Sequence, residues 1–324
     1  MKLSRIKTLL GLFLAAILSA PALGANTPLP GTLNYVEGKA QIGSEDLSAK
    51  SIGSSELQAG QTITTETGRA EVLLTPGVFF RLDNNSAAEM ISPSLTNTEV
   101  QLNKGRAMLE VAEIHKQNDI KIAQDGATTQ ILKNGLYEFD ANDGAIRVFE
   151  GKAQVAAKAK TKDLKGGREL NVRRDPVLKA QKFDKKNQDD FYNWSALRSR
   201  YESEANVDVA RYVVPGGYAG PGWYWDPWFS AYTFVSGNGI FYSPFGWGFY
   251  SPGWIGYAPA FGYGVPYRYY GRGYYGHGYY GHGYHEHGYH GNAVAPRAGV
   301  SAPMRTAPAM HSQGFGGFHG GGRR

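Results

Sequence analysis

Short runs of alternating apolar and polar residues follow one another from Leu33 to Phe149. The first five are Leu33–Ile42, Gln61–Thr65, Ala70–Thr75, Val78–Leu82 and Glu99–Leu102. Five more follow: Ala107–Val111, Asp119–Ala123, Thr128–Leu132, Leu136–Asp140 and Ala145–Phe149. Each has the length of a strand, and alternation at period two puts one face in a core and the other toward solvent. The gaps hold Pro76-Gly77, Asp83-Asn84-Asn85, Asn134-Gly135 and Asn142-Asp143-Gly144. Asn and Gly there accept the positive φ of tight turns. No helical periodicity of useful length precedes Pro176, so the pattern predicts an all-β fold: a curled multi-stranded β roll, an irregular β-helix or a sandwich.

A local repeat runs through these strands. Glu37-Gly38-Lys39-Ala40-Gln41-Ile42 matches Glu150-Gly151-Lys152-Ala153-Gln154-Val155. Looser copies are Gly68-Arg69-Ala70-Glu71-Val72 and Gly105-Arg106-Ala107-Met108-Leu109. Each reads as a Gly-basic-Ala turn feeding a strand, with Gly supplying a conformation costly to other residues and Ala allowing close packing. The uneven spacing of the copies argues against a strict solenoid.

Gly60-Gln61-Thr62-Ile63-Thr64-Thr65-Glu66-Thr67-Gly68-Arg69-Ala70-Glu71-Val72-Leu73-Leu74 resembles the core of FecR-type domains. Leu102-Asn103-Lys104-Gly105-Arg106-Ala107 and Val148-Phe149-Glu150-Gly151-Lys152-Ala153 resemble later elements of the same family. The resemblance covers roughly residues 33–157 and implies an extracytoplasmic scaffold that binds a ligand or partner. Two departures stand out. FecR signalling proteins carry a sigma-factor-binding segment ahead of a membrane helix, whereas only eight residues precede the apolar run here. The turn that often reads Asp-Gly-Ser in the family is Pro76-Gly77-Val78.

Beyond this β domain, placed at 31–160, Ala156–Arg174 is Lys-rich and reads as a mostly solvated connector with one strand at most, giving a linker at 161–182. A helix follows within 183–212. Its strongest stretch is Asp184 to Val207, with Asp184 or Asn187 as cap and Phe191, Trp194, Tyr201 and Ala205 along one face. That stripe fits packing on the β domain, with a partner-binding or dimerising helix as the alternative. Residues 213–264 are rich in Gly, Pro and aromatics. There Tyr232–Val235, a Gly237-Asn238-Gly239 tip and Ile240–Tyr242 suggest a hairpin. Residues 265–324 repeat Gly, Tyr and His at period five and offer no aliphatic core, so disorder is the default.

Charge follows the same division. The net charge of +6 and pI of 9.2 arise at the two ends, since residues 26–212 hold 25 Lys and Arg against 26 Asp and Glu. No clustered basic patch tracks a phosphate backbone, so nucleic acid is not expected as a partner. Lys2, Arg5 and Lys7, the apolar run Leu9–Leu18 and the small residues around Pro21 have the three parts of a secretory signal peptide over residues 1–24. The apolar core is about ten residues, against roughly 20 for a membrane-spanning helix. The mature chain is therefore expected in the periplasm or at the cell surface, with no transmembrane helix. The absence of cysteine removes disulfides, thiol nucleophiles and cysteine metal sites.

The chemical candidates are sparse. Two Gly-x-Gly-x-x-Gly matches, at Gly271–Gly276 and Gly276–Gly281, lie within the repeat and lack the strand–helix context of a dinucleotide fold. His277, His282, His285, His287 and His290 form the one metal-ligand constellation, suited to weak Zn²⁺ or Cu²⁺ binding on a flexible chain. His285-Glu286-His287 starts like a zinc-protease helix, but Tyr289 stands where the second metal ligand belongs. His115 is the only histidine before residue 213. No cofactor and no catalysis are expected. The leading expectation is a non-enzymatic envelope scaffold whose FecR-like domain binds a protein or glycan. One alternative is an adhesive surface protein acting through its Gly-Tyr tail. The other is a component of cell-surface signalling to a sigma factor through a partner.

Overall fold

Alternating side chains build two broad sheets that share one apolar core. The computed structural model describes residues 28–175, 177–216 and 218–259. The expected signal peptide, the period-five repeat and its five histidines lie outside the described residues. The first strands are β1 (Leu33–Glu37), β2 (Ala40–Ile42), β3 (Glu45–Asp46), β4 (Thr62–Thr65), β5 (Arg69–Leu73) and β6 (Val78–Leu82). Next come β7 (Ala87–Ser94), β8 (Asn97–Lys104), β9 (Arg106–Val111), β10 (Ile120–Gln124), β11 (Ala127–Ile131), β12 (Gly135–Asp140) and β13 (Ala145–Glu150). They are followed by β14 (Lys152–Ala157), β15 (Lys160–Lys165), β16 (Arg168–Asn171) and β17 (Gln181–Lys182). Helix α1 (Asp190–Gly216) then leads to β18 (Gly222–Asp226), β19 (Ala231–Val235), β20 (Ile240–Tyr242) and β21 (Gly248–Tyr250).

One sheet has eight strands in the order β1-β5-β6-β9-β12-β13-β16-β17. The other has nine, in the order β15-β14-β11-β10-β8-β7-β4-β2-β3. Neighbours are antiparallel except β8 and β10, which run parallel. Leu33, Val72, Phe80, Leu109, Phe139 and Val148 from the first sheet meet Ile63, Met90, Val100, Ile122 and Val155 from the second in a single buried cluster. Each such side chain contributes roughly 1.5–3 kcal/mol when fully buried. The expected all-β class holds, and the architecture is a two-sheet stack with no closed barrel among the described residues.

The sequence repeat has a structural meaning. Gly38, Gly68, Gly105 and Gly151 each lie where the chain steps from one sheet to the other: β1 to β2, β4 to β5, β8 to β9 and β13 to β14. The alanine of each turn is buried at the first inward position, at Ala40, Ala70, Ala107 and Ala153. Gly38 has φ +66°, and a Cβ on Gly68 would lie 2.3 Å from the Glu37 carbonyl oxygen. Two crossovers thus touch backbone to backbone, which a side chain on either would prevent.

Several expected elements differ. Leu33–Ile42 is two strands in different sheets, broken at Gly38. The Lys-rich stretch expected as a connector forms β15 and β16, and β17 also falls within 161–182. β15 is the outermost strand of its sheet, where lysines on the solvent side are favoured and only Leu164 turns inward. Helix α1 starts after Asp189, whose Oδ1 accepts from the Tyr192 backbone N–H at 2.9 Å. Asp189 is therefore the cap, in place of Asp184 or Asn187. The Gly-Asn-Gly segment connects β19 to β20 without pairing them as a hairpin; β18 pairs with β19 and β20 with β21.

Helix α1 and the two hairpins cover part of the outer face of the eight-stranded sheet. Trp223, Tyr232, Phe234 and Phe249 pack on Leu73, Phe79 and Ala112. Near the helix start, Phe191 packs on Met108, Leu136 and Phe149. Between these apolar patches the buried surface is charged.

Candidate functional site

Residues directly opposite in paired strands point to the same side of a sheet. Starting at β1, Tyr35 stands opposite Glu71, Glu71 opposite Arg81, and Arg81 opposite Met108. The line continues with Glu138 opposite Met108, Arg147 opposite Glu138, Glu169 opposite Arg147, and Gln181 opposite Glu169. One lane therefore crosses all eight strands on the face away from the shared core, polar on every strand except β9, where Met108 divides it in two. Its first half is buried under α1, and its second half floors an open cleft.

Under the helix, Arg81 Nε donates to Glu71 Oε2 at 2.6 Å and Arg81 Nη1 to Glu110 Oε2 at 2.5 Å. Both ion pairs are wholly inaccessible to solvent. Helix α1 adds Arg198, whose Nη2 donates to Glu71 Oε1 at 3.0 Å and to Glu202 Oε1 at 2.6 Å. Asn34 Nδ2 donates to the same two carboxylate oxygens, each at 3.0 Å. The Ser199 hydroxyl donates to Glu110 Oε1 at 2.7 Å. Burial alone pushes the Glu71 carboxyl up, but Arg198 and Arg81 outweigh it and hold it well below the usual range. Glu202 goes the other way: burial, then the Glu71 carboxylate, push it well above the usual range. These opposed shifts favour the protonated form of Glu202 and the ionised form of Glu71, the near-neutral arrangement in which buried charges are tolerated. Two facing carboxyls are chemistry that hydrolases use, yet this pair is sealed beneath α1 with no access for a substrate.

The second half is partly open: Glu138 is buried, while Arg147 and Glu169 are half-buried. Arg147 Nη1 donates to Glu138 Oε1 at 2.8 Å and Arg147 Nε to Glu169 Oε2 at 2.9 Å. Gln181 Nε2 donates to Glu169 Oε1 at 3.1 Å. Glu138, Arg147 and Glu169 floor a cleft of about 260 Å³ whose walls include Phe149, Phe183 and Tyr192. The Phe149 ring lies 5.0 Å from Phe183 and 5.2 Å from Tyr192. At the helix end, Arg106 Nη1 donates to Asp189 Oδ2 at 2.5 Å while Arg106 Nη2 donates to Asp83 Oδ2 at 2.9 Å. Burial, partly offset by Arg147 and Arg106, raises the Glu138 carboxyl above its ordinary value. A second hollow of about 250 Å³ continues along β13 and β16 and shares Arg147 and Glu169.

The sequence-expected ligands do not meet this site. His277, His282, His285, His287 and His290 fall outside the described residues. His115 is half exposed in the loop between β9 and β10, 3.4 Å from Glu113. Among the described residues, no group of three or more His, Cys, Asp or Glu side chains could hold a metal ion, and no helix is long and apolar enough to cross a membrane. The lane itself escaped sequence reading, although one trace is visible: Val78-Phe79-Phe80-Arg81-Leu82 places an arginine inside an otherwise apolar strand.

The family model described as FecR protein matches residues 61–154, from the start of β4 into β14. The resemblance expected from the turn motifs is thereby borne out over that segment. No curated protein matches the chain. Two crystal structures of a "putative anti-sigma factor" from Parabacteroides distasonis are similar to it. The 1.65 Å structure aligns at 16% identity and TM-score 0.33 over 38% of this chain and 60% of its own, less than two thirds of that neighbour's length. The 2.50 Å structure aligns at 12% identity and TM-score 0.35, covering 53% of this chain and 96% of the other.

Proposed function

We propose that this chain is an exported component of cell-surface signalling that acts on a sigma-factor pathway through a protein partner, without catalysis of its own. The observation that carries the reading is the FecR match over residues 61–154, the segment that supplies most of both sheets. The basic and apolar start of the chain supports export. The facing carboxyls of Glu71 and Glu202 are sealed under α1, which favours binding over hydrolysis. The open cleft beside the helix start is the surface offered to a partner.

The test is transcriptional. Deleting the gene in the source organism should shift a set of transcripts that share one promoter class, and re-expression of the full chain should restore them. An unchanged transcript profile would overturn the reading. A second reading, surface contact through aromatics, draws on Trp228, Tyr242 and Tyr257, which are 79%, 64% and 72% exposed. Replacing Trp228, Tyr242 and Tyr257 together by Ala separates the two: signalling should survive the change, whereas adhesion through these aromatics should be lost.

A further inference from the structure

The lane repeats one arrangement twice. Under α1, Arg81 sits between Glu71 and Glu110, and a further arginine, Arg198, comes down from the helix onto Glu71. In the cleft, Arg147 sits between Glu138 and Glu169 in the same way. The added cation there is weaker, because Arg106 lies 3.7 Å from Glu138 and is held by Asp83 and Asp189. Lys185 turns its Nζ onto the Phe149 carbonyl at 3.2 Å. Glu138, Glu169, Asp184 and Asp189 line the cleft together with Arg106 and Arg147. The lining thus sets four carboxylates against two cations, and once Asp83, its partner Arg69 and Lys185 are counted in, five carboxylates face four cations. The aromatic walls supply faces on which a cation stacks favourably.

From this repetition and the surplus of negative charge, we propose that the cleft receives an arginine side chain of a protein partner. The incoming guanidinium would meet Glu138 and Glu169 as Arg198 meets Glu71, with Phe183 and Tyr192 against its planar faces. The inference rests on the partner-mediated signalling reading and names the partner's chemistry. It concerns the partly open half of the lane only, so α1 stays in place.

The experiment is calorimetric titration of the full chain with the peptide acetyl-Leu-Arg-Leu-amide, with acetyl-Leu-Glu-Leu-amide as control. Saturable binding of the arginine peptide in the roughly millimolar range is expected, weakened by added salt, with none for the glutamate peptide. Glu169→Gln should weaken binding about five-fold, the value of one partly exposed charge pair. Phe183→Ala, which leaves every carboxylate in place, should weaken it as well and carries the test should Glu169→Gln alter the melt. Equal binding of both peptides, no saturable binding of either, or unchanged binding in the two variants would overturn the proposal. A transcript shift on gene deletion combined with no arginine binding removes the cleft and leaves the signalling reading standing.

Discussion

Glu71 and Glu202 accept from the same donors, Arg198 and Asn34, yet their environments drive them apart. Glu202 holds its proton more tightly folded than unfolded. Its contribution to stability is therefore full below the ordinary Glu value of about 4.3 and is lost as pH rises from there toward its folded value. Glu71 behaves oppositely, since its contribution is present above that value and is lost as pH falls below it. Glu202→Gln, which keeps the shape of the protonated form, should gain on the wild type in melting temperature between pH 5 and pH 8. Parallel profiles over that range would refute the raised proton affinity assigned to Glu202. Gly151 makes a separate point. With φ +100°, its added Cβ would lie 2.3 Å from the Tyr137 hydroxyl, the group that donates to the Lys133 carbonyl at 2.5 Å. Gly151→Val should cost at least the roughly 1–3 kcal/mol of backbone strain, while Lys152→Ala should stay within about 0.5 kcal/mol. Equal shifts in chemical denaturation would make the turn incidental.

Among elements, α1 shows where sequence reading succeeds and fails. Phe191 and Ala205 from the expected stripe are buried, while Trp194 and Tyr201 are only half-buried. The face that meets the sheet most closely is polar, with Ser195, Ser199 and Ser203 one turn apart and Arg198, Glu202 and Asn206 beside them. Hydrophobic periodicity cannot register a face whose burial depends on partners far away in sequence. Val78–Leu82 was legible to the residue because a short apolar run lies between the Pro76-Gly77 and Asp83-Asn84-Asn85 turns, whereas β7 was missed because Ala87, Pro93 and its serines resemble a loop. Asn206 is the clearest consequence of the polar face. Its Nδ2 donates to the Phe234 and Tyr250 carbonyls at 2.8 and 3.0 Å, and its Oδ1 accepts from the Tyr250 N–H at 2.7 Å. That one side chain ties both hairpins to α1. Asn206→Ala should destabilise by about 1–3 kcal/mol for the buried groups left unpaired and speed hydrogen exchange at Tyr250 more than at strands of the shared core. Uniform exchange across both regions would contradict this.

At the scale of the whole molecule, the outer face of the eight-stranded sheet depends on α1 and the two hairpins for its cover. Leu73, Phe79, Met108 and Leu136 lie beneath them. A fragment ending at residue 182 should therefore melt lower than one ending at 259 and bind a hydrophobic dye that the longer one excludes. Identical melts and no dye binding would show that the cover adds nothing to stability.

The buried charge cluster also sets an order of assembly. It joins Asn34 to Glu202 and to the Tyr232 carbonyl, contacts separated by 168 and 198 positions in sequence. Closing so long a loop is entropically slow, and such contacts form late in folding. During folding, strand β1 therefore waits with its outward asparagine unpaired until α1 and β19 arrive, and the burial of five ionisable side chains together belongs to a late step.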